Sequence, residues 1–265
     1  MPNGSVLDAI LAHTRERVAE EQRRHTLDVV RAAALKAPDA RSFAAAVGRP
    51  GSVNVVAEHK RRSPSRGRIR EDLTPADVAR RYEEAGAIAL SVLTDEAFFG
   101  GCLAHLVEIR AATVLPVLRK DFVLDAWQVW EARASGADAV LLIVAGLSDE
   151  ELRALLAVAR EAGMDALVEV HDRGELERAL SAGARVVGVN NRDLRTLEVS
   201  LGTSLALAPA IPKGVVAVAE SGIRTGEDVR RLRDAGYDAF LVGEHLMAAP
   251  DPGAALARLI AEAVR

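Results

Sequence analysis

The chain has 265 residues, 49% of them hydrophobic and 3% aromatic, and carries a formal net charge of -4. This length can bury a large core, whereas a negative balance with few aromatic rings argues against a protein that binds nucleic acid. The single cysteine, Cys102, excludes an intrachain disulfide and by itself makes no metal site. No secretory leader begins the chain, and no apolar run approaches the roughly 20 residues of a membrane helix, so we expect a soluble protein of the cytoplasm.

Residues 1–48 are helical in period and dense in charge, with a weak break near Thr26. We expect one to three helices there, forming an extension that packs on the rest of the chain. Since no linker rich in Gly, Pro and Ser follows, we predict a single domain over residues 1–265. The extension has either a structural role or a role in closing the site.

Eight apolar, mostly β-branched runs follow residue 48, and polar-faced helical stretches alternate with them. Five of these runs come just after a helix that ends in a small residue and Gly, as in RASGADAVLLIVA. Strands that are apolar on both faces and alternate with helices are typical of a parallel sheet covered by helices. Eight such units predict a (β/α)8 barrel with an N-terminal helical extension, and the alternative is an open doubly wound sheet.

Charged and polar residues gather where the predicted strands end. In a parallel barrel these ends build one face, which is where active sites form. A structural ion pair would explain any one of these residues, but a converging set of lysines and glutamates indicates catalysis. Lysines can serve as general acids, anion ligands or Schiff-base nucleophiles, and glutamates as bases or proton shuttles. The strand-end residues are Glu58, Lys60, Thr94, Asp95, Lys120, Asp121, Glu169, His171, Asn190, Arg192, Glu220 and Ser221.

Two glycine-containing loops predict a phosphate site. AESGI follows the seventh strand and LVGEHLM the eighth, which are the strands whose loops commonly hold phosphate in barrels. Gly222, Gly243 and the amide of Glu244 are the expected donors, with Lys60 and Ser63 reaching across from the first strand. We therefore expect a phosphorylated small-molecule substrate.

The aromatic residues of this chain fit two different roles, ligand binding and packing. Phe98, Phe99 and Phe122 follow the second and third strands, where they either form walls for an aromatic substrate or anchor the loops. Trp127 and Trp130 lie on one predicted helix and fit a packing role better than ligand binding. His59 is expected to face away from Glu58 and Lys60, towards the helices, and to be structural.

Several motifs, in this order, resemble the indole-3-glycerol-phosphate synthase family of tryptophan biosynthesis. They are VAEHKRRSPSRG, LSVLTDEAFFGG, PVLRKDF, LVEVHD, GVNNRDLRTLEV, AESGI and LVGEHLM. The resemblance runs from about Leu7 to the C-terminus. It implies a (β/α)8 barrel, mostly monomeric, that uses no cofactor or metal. The implied reaction converts 1-(2-carboxyphenylamino)-1-deoxyribulose 5-phosphate to indole-3-glycerol phosphate, carbon dioxide and water.

The same resemblance implies roles for single residues. Lys120 is similar to the family's general acid, Glu169 to its general base, and Glu58 with Lys60 to the supporting pair. Polar residues that hold the substrate hydroxyls, the anthranilate carboxylate ligand and the ring pocket are also implied. These are Asn190, Glu220 and Ser221 for the hydroxyls, Arg192 for the carboxylate, and Phe99, Phe122 and Leu142 for the ring. Burial beside the ring is expected to disfavour the charged form of the lysine, which makes it a better acid.

The chain departs from the family at two histidines, and three different functions compete with the resemblance. His59 and His245 stand where the family commonly has an apolar and a small residue. A related sugar-phosphate isomerase would place Cys with Asp, or two Asp, at strand ends, but Cys102 lies elsewhere. An aldolase-like enzyme would form a Schiff base through one of the lysines, and a non-catalytic protein would bind phosphorylated ligands without turnover.

Overall fold

A computed structural model describes residues 5–265, and eight parallel strands in it close into a barrel. The strands are β1 (Asn54–His59), β2 (Ala89–Leu93), β3 (Val117–Lys120), β4 (Ala139–Ile143), β5 (Asp165–Val170), β6 (Val186–Asn190), β7 (Val216–Glu220) and β8 (Ala239–Val242). Each strand pairs with its neighbours in the chain, and β8 closes on β1 with Ala239 beside Asn54. The predicted (β/α)8 barrel is confirmed, and an open sheet is excluded.

Thirteen α-helices lie within the described residues. They are α1 (Val6–Arg24), α2 (Leu27–Ala34), α3 (Phe43–Val47), α4 (Pro75–Glu84), α5 (Glu96–Phe99), α6 (Leu103–Ala112), α7 (Ala126–Ala134), α8 (Asp149–Glu161), α9 (Arg173–Ser181), α10 (Gly202–Leu207), α11 (Gly226–Asp234), α12 (Glu244–Met247) and α13 (Pro252–Val264). Short 3-10 turns cover Val144–Gly146 and Ala208–Ala210, and Arg62–Ser63 pairs with Gly67–Arg68 in a small hairpin. None of the described helices is long and apolar enough to cross a membrane.

Local sequence signals set the ends of the helices. The hydroxyl of Ser148 accepts from the amide of Glu151, whose carboxylate accepts from the amide of Ser148, so α8 begins with a capping box. Gly136 and Gly183 follow α7 and α9 with φ angles of 86° and 85°, a left-handed conformation that favours glycine. These turns return the chain directly into the next strand.

Alternation along the strands divides the core in two. Val56, Leu118 and Leu167 belong to a cluster in the barrel interior, whereas Val55 and Val140 pack against the surrounding helices. Glu58 and Lys60 therefore share the interior side with Val56, as predicted.

The strand residues that alternate with the interior ones point outward, into the layer between the barrel and the helices. His59 faces it, as predicted, with its ring 5.4 Å from that of His105 in α6 and only 3% exposed. Trp127 and Trp130 are buried on α7, which confirms their packing role.

The N-terminal helix α1 packs on the barrel interior, and the residue after it contacts α7. Leu7, Ile10 and Leu11 of α1 join the interior cluster. The carbonyl of His25, just after α1, accepts from the Trp127 indole N–H at 2.8 Å. A single domain over 1–265 stays a prediction, and residues 1–4 of the predicted extension lie outside the described residues.

Candidate active site

A cavity of about 780 Å³ opens at the carboxyl ends of the strands. Thirteen of the fifteen predicted site residues line it. These are Glu58, Lys60, Phe99, Lys120, Phe122, Glu169, Asn190, Arg192, Glu220, Ser221, Gly222, Gly243 and Glu244. Cys102, the only cysteine that an isomerase with a Cys–Asp pair could use, is the residue before α6 and is not among the lining residues.

Two predicted residues lie elsewhere. Leu142 is wrong as a pocket residue, because β4 directs it outward into the layer of helices, and Leu141 and Ile143 line the cavity instead. Ser63 borders an adjoining cavity of about 70 Å³ rather than the main one, and its hydroxyl lies 3.3 Å from that of Ser65.

Four ionisable side chains of the site come from alternate strands. Glu58, Lys120, Glu169 and Glu220 belong to β1, β3, β5 and β7. Interior side chains of such barrels form layers of four from alternate strands, which explains why residues so distant in sequence meet. Nζ of Lys120 lies 2.9 Å from Oε2 of Glu169 and 3.3 Å from Oε2 of Glu220. The lysine is thus held between two carboxylates.

The even strands supply small residues that make room for this layer. A Cβ on Gly188 of β6 would stand 2.0 Å from Oε1 of Glu220. A Cβ on Gly243, just after β8, would stand 2.2 Å from Oε1 of Glu58. Both glycines are therefore needed for their small size beside a carboxylate. In the sequence, Gly188 is an ordinary strand glycine, so its role was not predictable.

The pKa of Lys120 differs from the expectation. Burial disfavours its ammonium form, but Glu169 and Glu220 outweigh burial and raise the pKa of Lys120 above its usual value. Burial likewise opposes the carboxylate of Glu169, but Lys120 and His171 outweigh it and lower the pKa of Glu169. The predicted lowering of the lysine pKa is wrong because its charged partners are as buried as it is.

Glu220 is the carboxylate with the opposite behaviour. Burial raises the pKa of Glu220 to about 7, since its Lys120 contact compensates only in part. Neither of its oxygens accepts a hydrogen bond, and its side chain is 1% exposed. A carboxyl group in this state can hold or release a proton near neutral pH.

Lys60 forms the second ion pair of the cavity. Its Nζ lies 2.8 Å from Oε1 of Glu58, and the two side chains are 14% and 4% exposed. This is the pair that the parity of the first strand predicts.

The predicted phosphate loops lie together on one side of the cavity. Ser221 and Gly222 have φ angles of 67° and 81°, and Gly243 leads into α12. The side chain of Glu244 contacts Arg66 at 3.1 Å and Arg192 at 3.6 Å, so it links the loops after β1 and β6. Only its main-chain amide had been expected to contribute.

An aromatic wall completes the site. The rings of Phe99 and Phe122 lie 6.3 Å apart, with Leu141 and Leu194 also lining the cavity. Phe98 instead packs edge-on against His13 of α1, at 5.8 Å, and anchors its loop. Among residues 5–265, no three His, Cys, Asp or Glu side chains converge in a way that could hold a metal ion.

Arg119 and Asp121, the neighbours of Lys120, have no role that the sequence predicts, although Asp121 is one of the strand-end residues. The guanidinium of Arg119 is fully buried and contacts Asp121 at 2.9 Å, Glu131 of α7 at 2.8 Å and the hydroxyl of Thr94 at 3.1 Å. Asp121 also accepts from Thr94 at 2.7 Å. A charged Arg-Lys-Asp run at a buried strand end was the available signal, since buried charges need partners.

Comparison with known proteins supports one assignment. A family model described as Indole-3-glycerol phosphate synthase matches residues 7–259. The Indole-3-glycerol phosphate synthase of Albidiferax ferrireducens is 51% identical over 261 residues, covering 97% of this chain and 99% of the relative. That of Chlorobium phaeovibrioides is 50% identical, covering 91% and 93%. A thiamine phosphate pyrophosphorylase from Pyrococcus furiosus shares the fold alone, with a TM-score of 0.59 and 19% identity over 78% of this chain and 93% of that one. The chain therefore belongs to the indole-3-glycerol phosphate synthase family.

Proposed function

We propose that Lys120 is the general acid of the reaction that this enzyme catalyses, in which 1-(2-carboxyphenylamino)-1-deoxyribulose 5-phosphate becomes indole-3-glycerol phosphate, carbon dioxide and water. The observation that carries the proposal is the position of Lys120 between Glu169 and Glu220, beside an aromatic wall. Its raised pKa keeps it protonated at neutral pH, as a proton donor must be.

Binding would orient the substrate for ring closure. The amides of Gly222, Gly243 and Glu244 are the proposed phosphate donors, and Lys60 and Arg192 are the cations for the phosphate end and the carboxylate. Phe99 and Phe122 would hold the anthranilate ring flat against the reacting carbonyl. Such positioning removes much of the entropic barrier to joining two groups of one flexible molecule.

The chemical steps would then use side chains of the layer formed by Glu58, Lys120, Glu169 and Glu220. As the ring carbon attacks the ketone, Lys120 protonates the oxygen, so no free alkoxide forms. Loss of carbon dioxide returns an electron pair to the ring and restores its aromaticity. The new hydroxyl group then takes up a proton and leaves as water, while Glu169 removes a proton from the adjacent carbon. Glu220, 3.3 Å from the lysine, would return a proton to it between steps.

A supporting shell would hold the remaining groups. Asn190 donates to Oε1 of Glu169 at 3.0 Å, which orients the base. Ser221 and Asn190 would contact the substrate hydroxyls, and Glu58 would keep Lys60 extended into the cavity. Comparing variants of Lys60 and Lys120 would show which of the two lysines gives up the proton during dehydration.

The test is a fluorescence assay of indole formation with chelator present, comparing wild type with Lys120→Ala and Lys60→Ala. We expect Lys120→Ala to lose about 10²–10⁴-fold in kcat, as for other general acids. Near-normal turnover in Lys120→Ala would move the acid role, with Lys60→Ala identifying the replacement. Trapping of a substrate adduct by borohydride would indicate a Schiff base instead. Binding of the substrate without turnover in the wild type would contradict the catalytic function.

We also propose that the protein acts as a monomer in the cytoplasm and binds no nucleic acid. The net charge of -4 supports the absence of nucleic-acid binding, and the absence of a spanning helix among the described residues supports a location away from the membrane. The monomer is what the family resemblance implies. Light scattering at micromolar concentration would contradict the monomer by giving twice the mass of 28.2 kDa.

A further inference from the structure

We propose that His171 is a positioning residue for catalysis, because it fixes the carboxylate of Glu169 from the side opposite Lys120. This inference rests on the function proposed above. His171 does not line the cavity, so it would act through Glu169 and not on the substrate. Its Nε2 lies 3.3 Å from Oε1 of Glu169, an ion-pair distance without hydrogen-bond alignment.

The two oxygens of Glu169 have separate partners. Oε2 faces Lys120 at 2.9 Å. Oε1 accepts from the amide of Asn190 at 3.0 Å and faces the imidazole of His171. A carboxylate held at both oxygens cannot rotate away from the lysine without losing one set of contacts. The orientation of Glu169 therefore depends on Lys120 and Asn190 in the cavity and on one group outside it, His171.

The start of α9 fixes the imidazole in turn. Asp172 caps the helix by accepting from the amide of Glu175 at 2.9 Å. The carboxylate of Glu175 then turns back, accepting from the amide of His171 at 2.8 Å and lying 3.0 Å from its Nδ1. Main chain and ring of His171 are thus both held by one side chain.

The charges around His171 favour its protonated form. Glu169 faces it from β5, Glu175 from α9, and Asp193 from the loop after β6, with Lys120 beyond Glu169. Burial disfavours the imidazolium, but Glu169 and Glu175 outweigh it and raise the pKa of His171 to about 10. His171 is therefore a cation throughout the neutral range.

A second cation beside Glu169 matters when Lys120 gives up its proton. At that moment Glu169 loses the charge that lowers its pKa from the cavity side. His171 keeps its own charge, because it has no contact with the substrate, and so keeps Glu169 ionised as a base. Without it, Glu169 would take up a proton more readily and its pKa would rise.

The first test is the pH profile of kcat in His171→Gln, which removes the charge. We expect kcat to fall about 10-fold, with KM almost unchanged and the acidic limb about one pH unit higher, since one pKa unit corresponds to a tenfold change. A purely structural role would lower stability or activity at every pH and leave the limb in place, which would overturn the proposal.

The second test observes the imidazole of the wild-type protein directly by NMR, so it does not require a folded His171→Gln. Of the six histidines, the one whose signals move most in Glu175→Gln should stay protonated at pH 8 in the wild type. Glu175→Gln should lower the pH at which it titrates. Glu177→Gln is the matched control on the same helix, since Glu177 pairs with Arg173 on the surface. A His171 that titrates near 6.5 in wild type would overturn the proposal whether or not the enzyme turns over its substrate.

Discussion

A single missing methyl group decides where a carboxylate can stand in this site. Gly188 lies beside Glu220, and a side chain there would enter the space of its carboxylate. Glu220 makes no hydrogen bond and is therefore held mainly by this shape and by Lys120. The position of the Glu220 carboxylate therefore depends on the absence of a side chain at Gly188.

Gly188→Ala is expected to displace Glu220 and to lower kcat on the order of 100-fold, because misplacement by about an ångström has that effect. The far end of Glu220 would give way before the backbone of β6, so the fold should remain. Circular dichroism and the indole assay, run together, check this. Gly174→Ala is the control, since a Cβ there meets only an oxygen of Asp172 at 3.4 Å. Equal activity of the two variants would contradict the steric role.

One strand, β3, carries two buried cations in opposite directions. Lys120 enters the cavity, whereas Arg119 faces the helices and joins Asp121, Thr94 and Glu131. Arg17 of α1 reaches the same Asp121 at 3.4 Å. The end of β3, which presents Lys120, is therefore connected to the end of β2, to α7 and to the N-terminal helix α1.

Arg119→Met should destabilise the protein by about 3–5 kcal/mol, because it leaves the buried carboxylates of Asp121 and Glu131 without their cation. Urea unfolding of the folded enzyme measures this cost. In the control Arg24→Ala, exposed pairs with Glu20 and Glu21 are lost, and we expect less than about 1 kcal/mol. Similar costs for both variants would mean that the buried network contributes no more than a surface pair.

At the scale of the whole molecule, one buried histidine outside the site, His59, lowers stability towards acid. His59 is buried between β1 and α6, beside His105 and near Arg61, and its Nδ1 has no partner. Burial lowers the pKa of His59 from 6.5 to about 3. Because the unfolded chain binds this proton first, stability falls as the pH falls from 6.5 towards 3.

His59→Leu removes that proton linkage and should make the protein more stable than wild type in acid, by about 2 kcal/mol at pH 5. Near pH 7.5 the two proteins should differ much less. Urea unfolding at both pH values checks the difference, with the exposed His25→Leu as control. A gain that is the same at both pH values would indicate better packing alone.

Prediction from the sequence was accurate where local rules apply. The eight strands, the capped start of α8 and the shared face of Glu58 and Lys60 all follow from periodicity and capping chemistry. Leu142 shows how sharp the limit is, because a strand reverses its faces at every residue. Adjacent Leu141 and Leu142 offer no local signal for which one faces the cavity.

By itself the sequence determined the barrel, the face that carries the charges and the family to which the chain is similar, since these rest on patterns within single elements. Only the tertiary structure decided that Lys120 stands between Glu169 and Glu220, that Gly188 makes room for one of them and that His171 holds the other. Barrel closure sets the register between strands, and this register brings alternate strands into one layer. Pairing of buried charges across that layer then reverses the pKa change that burial alone would give to the lysine.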